Sequence, residues 1–179
     1  GGACTGLGIP HTAVDEIVGI VKAYSTRVGN GPFPTELMDE TGTLLRSVGG
    51  EFGATTGRPR RCGWFDAVAV RYAAMINGIT KVAITKLDVL SGLDNIEICM
   101  AYEIDGKQIT EFPLDVKALE RAQPVYETVP GWKEDISHVT TVGELPSAAR
   151  EYVRVISAVT RTKPWIISVG PRRDQTIFV

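Results

Sequence analysis

An apolar helix followed by a short apolar strand occurs twice in this chain of 179 residues, and that order constrains the fold more than any other feature. The first unit is a helix predicted over residues 67–77 with a strand over residues 82–86. The second is a helix over residues 145–159, whose apolar side chains recur at helical spacing, with a strand over residues 165–169. Because no repeat, low-complexity run or linker interrupts the chain, we expect a single α/β segment over residues 1–179.

Local signals predict the ends of several elements. Asp66 is a suitable N-cap for the helix that ends before Gly78, and this helix is apolar almost all round, which predicts that it is buried. Asp105-Gly106 lies between two strand-like runs and predicts a β-hairpin. The remaining predicted elements are helical stretches over residues 10–18, 36–48 and 115–121, and strands over residues 20–24, 96–102, 108–112 and 125–129.

Composition narrows the classes of function. Hydrophobic residues make up 44% of the chain, enough for one sizeable core, and the net charge is −2. An acidic chain lacks the basic footprint of nucleic-acid binders, so we expect no nucleic-acid partner. No run of 18 apolar residues and no signal peptide occurs, so we expect no membrane span and a cytoplasmic location. The three cysteines lack C-x-x-C spacing, which argues against a zinc site or a disulfide framework.

The run Gly53-Ala-Thr-Thr-Gly-Arg-Pro-Arg-Arg61 is the richest in chemistry. It places two hydroxyls, two glycines and three guanidinium groups within nine residues. Guanidinium groups pair in two-pronged fashion with carboxylate or phosphate, hydroxyls add hydrogen bonds, and glycine lets backbone N–H groups approach a ligand closely. The run predicts an anion-binding loop, although a solvated basic turn is an alternative.

The strand predicted over residues 82–86 ends in the polar step Thr85-Lys-Leu-Asp88. Open α/β sheets bind ligands at the carboxyl ends of their strands, where these polar residues would lie. A lysine stem can lie along a guanine base while the carboxylate accepts hydrogen bonds from the ring N–H and the exocyclic amine. Adenine offers no such pair of donors. The step therefore predicts a guanine site, with a strand-end salt bridge as the alternative.

Several motifs together resemble the adenylosuccinate synthetase family over essentially the whole chain. They are residues 54–61 (Ala-Thr-Thr-Gly-Arg-Pro-Arg-Arg), 62–66 (Cys-Gly-Trp-Phe-Asp), 85–88 (Thr-Lys-Leu-Asp) and 168–171 (Ser-Val-Gly-Pro), with 22–29 and 31–36 upstream. The resemblance implies the C-terminal part of the family's P-loop-NTPase-like α/β fold, with a mixed sheet, flanking helices and a β-hairpin.

The same resemblance implies that an N-terminal phosphate-binding and catalytic portion is absent. In the family that portion carries a glycine-rich phosphate loop, a catalytic aspartate and a histidine. No G-x-x-x-x-G-K-[ST] pattern occurs in this chain. We therefore expect no catalytic residue and no metal ligand in this segment, and we expect the isolated chain to be inactive.

What the resemblance implies for the whole enzyme is a GTP-dependent carbon–nitrogen ligase of purine biosynthesis. Such an enzyme joins IMP to L-aspartate through a 6-phosphoryl intermediate and releases adenylosuccinate, GDP and phosphate. GTP is a co-substrate, and Mg²⁺ would be bound mainly by the absent portion. The resemblance also implies a homodimer.

Residue by residue, the resemblance implies three groups of ligand contacts. The loop for aspartate and IMP comprises Ala54, Thr55, Thr56, Gly57, Arg58, Pro59 and Arg60. The backbone at Val28 contacts the ribose of IMP. The GTP contacts are Arg60, Lys86, Leu87, Asp88, Ser168, Val169 and Gly170.

Two other functions are considered beside the synthetase segment. One is a stand-alone guanine-nucleotide or dicarboxylate-binding module without ligase activity, which would fold and hold GTP by itself. The other is a structural or interaction domain, in which alanines could replace the arginines of the loop without effect on any ligand.

Overall fold

The computed structural model describes residues 1–179 and contains ten strands and five α-helices. The strands are β1 (Val18–Lys22), β2 (Ser25–Arg27), β3 (Arg61–Gly63), β4 (Phe65–Asp66), β5 (Lys81–Thr85), β6 (Asn95–Ile104), β7 (Lys107–Ile109), β8 (Gln123–Pro130), β9 (Lys163–Ser168) and β10 (Thr176–Phe178). The α-helices are α1 (Gly2–Leu7), α2 (Glu40–Val48), α3 (Ala67–Asn77), α4 (Val116–Glu120) and α5 (Ser147–Thr160). Short 3-10 helices span His11–Ala13, Leu87–Leu90 and Val142–Glu144.

The main sheet is mixed, as the resemblance implied. Its strand order is β1-β5-β9-β10, in which β1, β5 and β9 are parallel and β10 runs antiparallel to β9. Lys22 at the end of β1 is paired in register with Thr85 at the end of β5. Because parallel strands end at the same edge of a sheet, the residues that follow β1, β5 and β9 lie next to one another.

A second sheet is built around β6, which pairs with β4, β7 and β8. The predicted hairpin is confirmed, since β6 and β7 are antiparallel and Ile104 lies opposite Lys107. The two turn residues between them have positive φ, 52° at Asp105 and 76° at Gly106. Asp-Gly favours such a turn because both residue types tolerate left-handed backbone. The pair β2 and β3 forms a separate antiparallel ribbon.

One cluster of 27 buried residues includes side chains from both larger sheets and from the helices that flank them. The predicted apolar face of α5 is confirmed, since Ala149, Tyr152 and Ile156 are all buried in that cluster. Burial of such large side chains contributes most of the favourable free energy of folding. The expected α/β fold class is therefore confirmed, with helices packed on mixed sheets.

The bounds of α3 match the prediction, but its expected burial was wrong. The Asp66 carboxylate accepts a hydrogen bond from the Ala69 amide at 3.0 Å, and Gly78 ends the helix with φ of 64°. Met75 and Ile76, however, are 71% and 59% exposed. The helix packs on α5 and β6 along one side, so apolar residues on its other side have nothing to cover them.

The predicted helix over residues 10–18 was wrong. Residues His11–Ala13 form a single 3-10 turn, and Val18 already belongs to β1. No residue before Val18 is buried, so a helix there would gain no packing, and short helices are marginal without it. The stretch predicted over residues 36–48 is helical from Glu40 onward.

The helices of this fold are too short or too polar for any of them to span a membrane.

Candidate functional site

The arginine loop, which we define as residues 53–60, is closed at its base and exposed at its tip. Phe52 and Pro59 form an antiparallel bridge, and the Gly53 amide donates a hydrogen bond to the Arg58 carbonyl at 2.8 Å. Gly57 has φ of 63°, a conformation that glycine adopts without strain. Residues 54–59 are exposed. Their hydroxyl and guanidinium groups are therefore available to a ligand from solvent.

Arg60, at the end of this loop, is held by Glu51, which lies on the segment that leads into the loop. The Arg60 amide donates to the Glu51 carbonyl at 2.9 Å, and Arg60 Nη1 donates to Glu51 Oε2 at 2.7 Å. Arg46 Nε also donates to the Arg60 carbonyl at 2.8 Å. Only one of the guanidinium nitrogens of Arg60 is used in this way, so the others can still bind a second anion.

Glu51 is the centre of a charged network. Its side chain is fully buried, and its oxygens accept hydrogen bonds from Lys22 Nζ at 2.8 Å, the Tyr24 hydroxyl at 2.6 Å and Arg60. Lys86 Nζ lies 3.8 Å from Glu51 Oε1. Burial opposes ionisation of this carboxylate, but the hydrogen bonds from Lys22, Tyr24 and Arg60 outweigh it and lower the pKa to about 2. The carboxylate is therefore ionised near neutral pH and pairs with three cations.

The step after β5 combines a partly exposed lysine with buried apolar neighbours. Lys86 has a left-handed backbone, φ 62°, and precedes the 3-10 helix Leu87–Leu90. Its ammonium group donates to the Gly49 carbonyl, which leaves the methylene stem free to lie along a planar ligand. Leu87 is fully buried, so only its backbone could contact a ligand.

The Asp88 carboxylate has no partner elsewhere in the protein. It is half-buried, and it forms no ion pair and no side-chain hydrogen bond with another residue. Burial raises the pKa of this carboxyl, while the backbone amide of Asp88 itself and then Lys86 lower it. A half-buried carboxylate without a donor from any other residue suits a ligand that brings two N–H groups. The strand-end salt bridge given as the alternative is present for Lys86, which pairs with Glu51, but Asp88 takes no part in it.

Ser168 is the last residue of β9, the strand that neighbours β5 in the sheet, and Val169 and Gly170 follow it. The Ser168 hydroxyl donates to the Gly170 carbonyl at 2.8 Å, and Val169 is fully buried. A Cβ atom at Gly170 would lie 2.3 Å from the amide end of the Gln175 side chain, which would then have to move. Ligand contacts at Val169 and Gly170 are therefore limited to the backbone.

Val28 follows the short strand β2, whose partner β3 leads out of the arginine loop. Its side chain is 71% exposed. Arg61 Nη1 donates to the carbonyls of Gly29 and Gly31, at 3.1 and 2.8 Å, and its guanidinium also pairs with Glu36. Arg61 is thus occupied in shaping the turn after Val28, which agrees with leaving it out of the predicted site.

The structure brings one residue of the arginine loop and one of the step after β5 to the Glu51 carboxylate, while the tip of the loop does not contact the step. Arg60 and Lys86 both approach Glu51, at the edge where β1 and β5 end. Thr55, Thr56 and Arg58 form no hydrogen bond or ion pair with residues 85–88. The loop tip could therefore meet the guanine step only through a ligand or a change in conformation.

Residues 1–177 match the model of the adenylosuccinate synthetase family. The chain belongs to the adenylosuccinate synthetase family. It is 57% identical to the adenylosuccinate synthetase of Carboxydothermus hydrogenoformans over 179 residues, which are all of this chain and 42% of that protein. It is 55% identical to that of Salinibacter ruber over 177 residues, 99% of this chain and 40% of that protein.

A solved structure gives the same result for the adenylosuccinate synthetase fold. The fully ligated adenylosuccinate synthetase from Plasmodium falciparum superposes with a TM-score of 0.96 at 43% identity, covering 99% of this chain and 43% of that one. The chain thus spans less than half the length of the curated relatives it matches. These matches do not support the more specific prediction that it is the C-terminal part, and only membership of the family is retained.

The buried carboxylate at the centre of the site does not fit the Mg²⁺ that the family resemblance implies. No three His, Cys, Asp or Glu side chains lie close enough together to hold a metal ion. Glu51, the most buried carboxylate at the site, is already saturated by Lys22, Tyr24 and Arg60. A divalent cation placed there would face three positive charges at close range.

Sequence reasoning missed Glu51 and Lys22 as parts of the site. Glu51 stands alone between Gly50 and Phe52 and belongs to no recognisable pattern. Lys22 lies in a stretch that resembles the family, but nothing in that stretch indicates that it meets the arginine loop. The one available signal was position, because Glu51 lies two residues before the loop and Lys22 is the last residue of β1.

Proposed function

We propose that the longer protein containing this segment joins IMP to L-aspartate with hydrolysis of GTP, giving adenylosuccinate, GDP and phosphate. Family membership supports the reaction class, and the observation that carries the proposal is the meeting of the arginine loop and the Lys86–Asp88 step at one buried carboxylate. This segment would supply the aspartate and IMP loop and the guanine pocket. The Mg²⁺ used with GTP would then be held by residues outside this segment.

The loop would bind the two carboxylates of aspartate. Thr55 and Thr56 offer hydroxyl donors, and Arg58 offers a guanidinium fork, all exposed and without an anionic partner in the protein. Arg60 would meet both aspartate and GTP through the nitrogens that Glu51 leaves free. Charge-assisted hydrogen bonds of this kind are about twice as strong as neutral ones. The backbone at Val28 would contact the ribose of IMP from the turn beside the loop.

Asp88 would read the guanine base. Its unpartnered carboxylate can accept from the ring N–H and the exocyclic amine, while the Lys86 stem lies along the base. The backbone of residues 168–170 would complete the pocket from the next strand of the sheet. Adenine would leave the half-buried carboxylate without donors, and sites of this kind reject such analogues by about 10⁴-fold. The homodimer and the cytoplasmic location implied by the resemblance stay predictions.

The test is formation of adenylosuccinate from IMP, aspartate and GTP, measured for the full-length protein and for residues 1–179 alone. We expect activity in the full-length protein and none in the segment alone, because the segment has no phosphate-loop motif. Replacing GTP with ATP should abolish most of the activity. Failure of the full-length protein to form adenylosuccinate, together with GTP binding by the segment alone, would favour the stand-alone binding module.

A further inference from the structure

Glu51 has the properties of a residue that organises a site without touching its ligands. Its carboxylate is fully buried, and four of its contacts are hydrogen bonds of 2.6–2.8 Å from Lys22, Tyr24 and Arg60. A buried charge is tolerated only when it is paired and hydrogen-bonded. Any displacement of its partners would therefore be costly, so the partners are held where the carboxylate requires them.

The cations that meet Glu51 come from three different segments. Lys22 ends β1, Arg60 closes the arginine loop, and Lys86 follows β5. Without the carboxylate, three positive charges would face one another across the edge of the sheet and would repel. With it, each cation keeps a partly exposed side chain, 27%, 32% and 37% exposed in that order. The cluster therefore keeps a net positive charge that faces solvent.

The backbone around Glu51 strengthens this link. The Glu51 carbonyl accepts from the Arg60 amide at 2.9 Å, next to the bridge between Phe52 and Pro59. Lys86 Nζ also donates to the Gly49 carbonyl, two residues before Glu51. One short piece of chain, residues 49–51, thus contacts both the base of the loop and the guanine step.

We propose that Glu51 is a positioning residue that fixes Arg60 of the arginine loop and Lys86 of the guanine step relative to each other. This inference rests on the proposed function, because Arg60 and Lys86 are contacts for aspartate and GTP only under that proposal. Glu51 itself makes no contact with a substrate. Its effect on binding passes through the two cations, so it should depend on their presence.

The experiment uses the full-length enzyme and measures kcat and the KM values for GTP and aspartate. Glu51→Gln removes the charge while keeping the shape, and we expect it to raise both KM values about tenfold, a typical effect for one partner of a close charge pair. In an Arg60→Ala background the same substitution should raise the aspartate KM by less than about twofold, because the guanidinium group that Glu51 positions is no longer present. Additive effects in the double variant would overturn the proposal.

Tyr24→Phe is the matched control. It removes a buried hydrogen bond to the same carboxylate but leaves all three cations paired. We expect a lower thermal midpoint with KM values close to those of the unmodified enzyme. An equal rise in both KM values in Tyr24→Phe would show that loss of packing alone explains the effect and would overturn the role of Glu51.

Glu51→Asp keeps the test decisive if Glu51→Gln does not fold. It preserves the charge but withdraws the carboxylate by one methylene group, so the hydrogen bonds to Arg60 and Lys22 must lengthen or shift. We expect raised KM values with a folded enzyme, and unchanged values would contradict the proposal. Absence of adenylosuccinate formation in the unmodified enzyme would overturn the proposed function itself, whereas formation with unchanged KM in Glu51→Gln overturns only the role of Glu51.

Discussion

The arginine loop and the guanine step differ in how the fold holds them. Residues 54–59 of the loop are exposed and are fixed mainly through the backbone bridge at the loop's base. The guanine step continues into the 3-10 helix Leu87–Leu90, in which Leu87, Val89 and Leu90 are all buried. The loop can therefore rearrange around a ligand at little cost to stability, whereas the step presents Asp88 from a position set by the core. Changes in the two regions should have separable effects.

The largest expected effect is loss of base discrimination at the step. Asp88→Asn replaces one acceptor oxygen with a donor, so we expect the preference for GTP over ATP, as a ratio of kcat/KM, to fall by about 1,000-fold. Arg58→Ala in the loop should weaken aspartate binding and leave that ratio within about threefold. The measurement is steady-state kinetics of the full-length enzyme with each nucleotide.

Asp94→Asn is a suitable control for this prediction, because Asp94 is an exposed carboxylate paired with Lys133. It should leave both the rate and the base preference unchanged. Equal loss of preference in Asp88→Asn and Arg58→Ala would contradict the assignment of guanine to Asp88.

The next effect concerns stability. Leu87→Ala removes a fully buried side chain and should destabilise the protein by about 3 kcal/mol, within the usual range for such a truncation. Thr55→Ala in the exposed loop should change stability by less than about 0.5 kcal/mol. Thermal or urea unfolding of the two variants checks both values. A large loss of stability in Thr55→Ala would show that the loop is integrated into the core.

The smallest effect is a pH dependence that comes from Glu51. Its folded-state pKa is lowered from the ordinary value of 4.5 to about 2, so its contribution is fully present above pH 4.5 and is lost as the pH falls toward 2. Glu51 contributes on the order of 2 kcal/mol to the free energy of unfolding, less than the full pKa shift would give, because solvent screens the three partly exposed cations. Urea unfolding at several pH values checks it, and Glu51→Gln should flatten the curve in this interval. An unchanged curve in that variant would contradict the ion-pair network.

Elements with strong local signals were predictable from the sequence. The helix α3 has its N-cap at Asp66 and ends at Gly78, and the hairpin turns at Asp105-Gly106, so the residues that define these ends are adjacent to the elements in the sequence. The helix predicted over residues 10–18 failed because its local signals had no packing to support them. The exposure of Met75 and Ile76 could not be predicted either, since an apolar pattern does not say which side finds a partner.

At the candidate site, too, residues in local motifs were predictable and residues placed by tertiary contacts were not. Motifs identified Arg60, Lys86 and Asp88, because each lies in a run of residues with recognisable chemistry. They did not identify Glu51, whose role depends on the parallel pairing of β1 with β5 and on the closure of the arginine loop. Both are features of the tertiary structure, and a single glutamate between Gly50 and Phe52 does not indicate them in the sequence.

The most direct test of the link between the two regions is hydrogen exchange of the full-length enzyme with and without GTP. We expect slower exchange in residues 86–90 and in residues 53–60 together, because Arg60 and Lys86 both pair with Glu51. Protection of residues 86–90 with no change in residues 53–60 would contradict a coupled site and would leave the loop and the guanine step as independent binding elements.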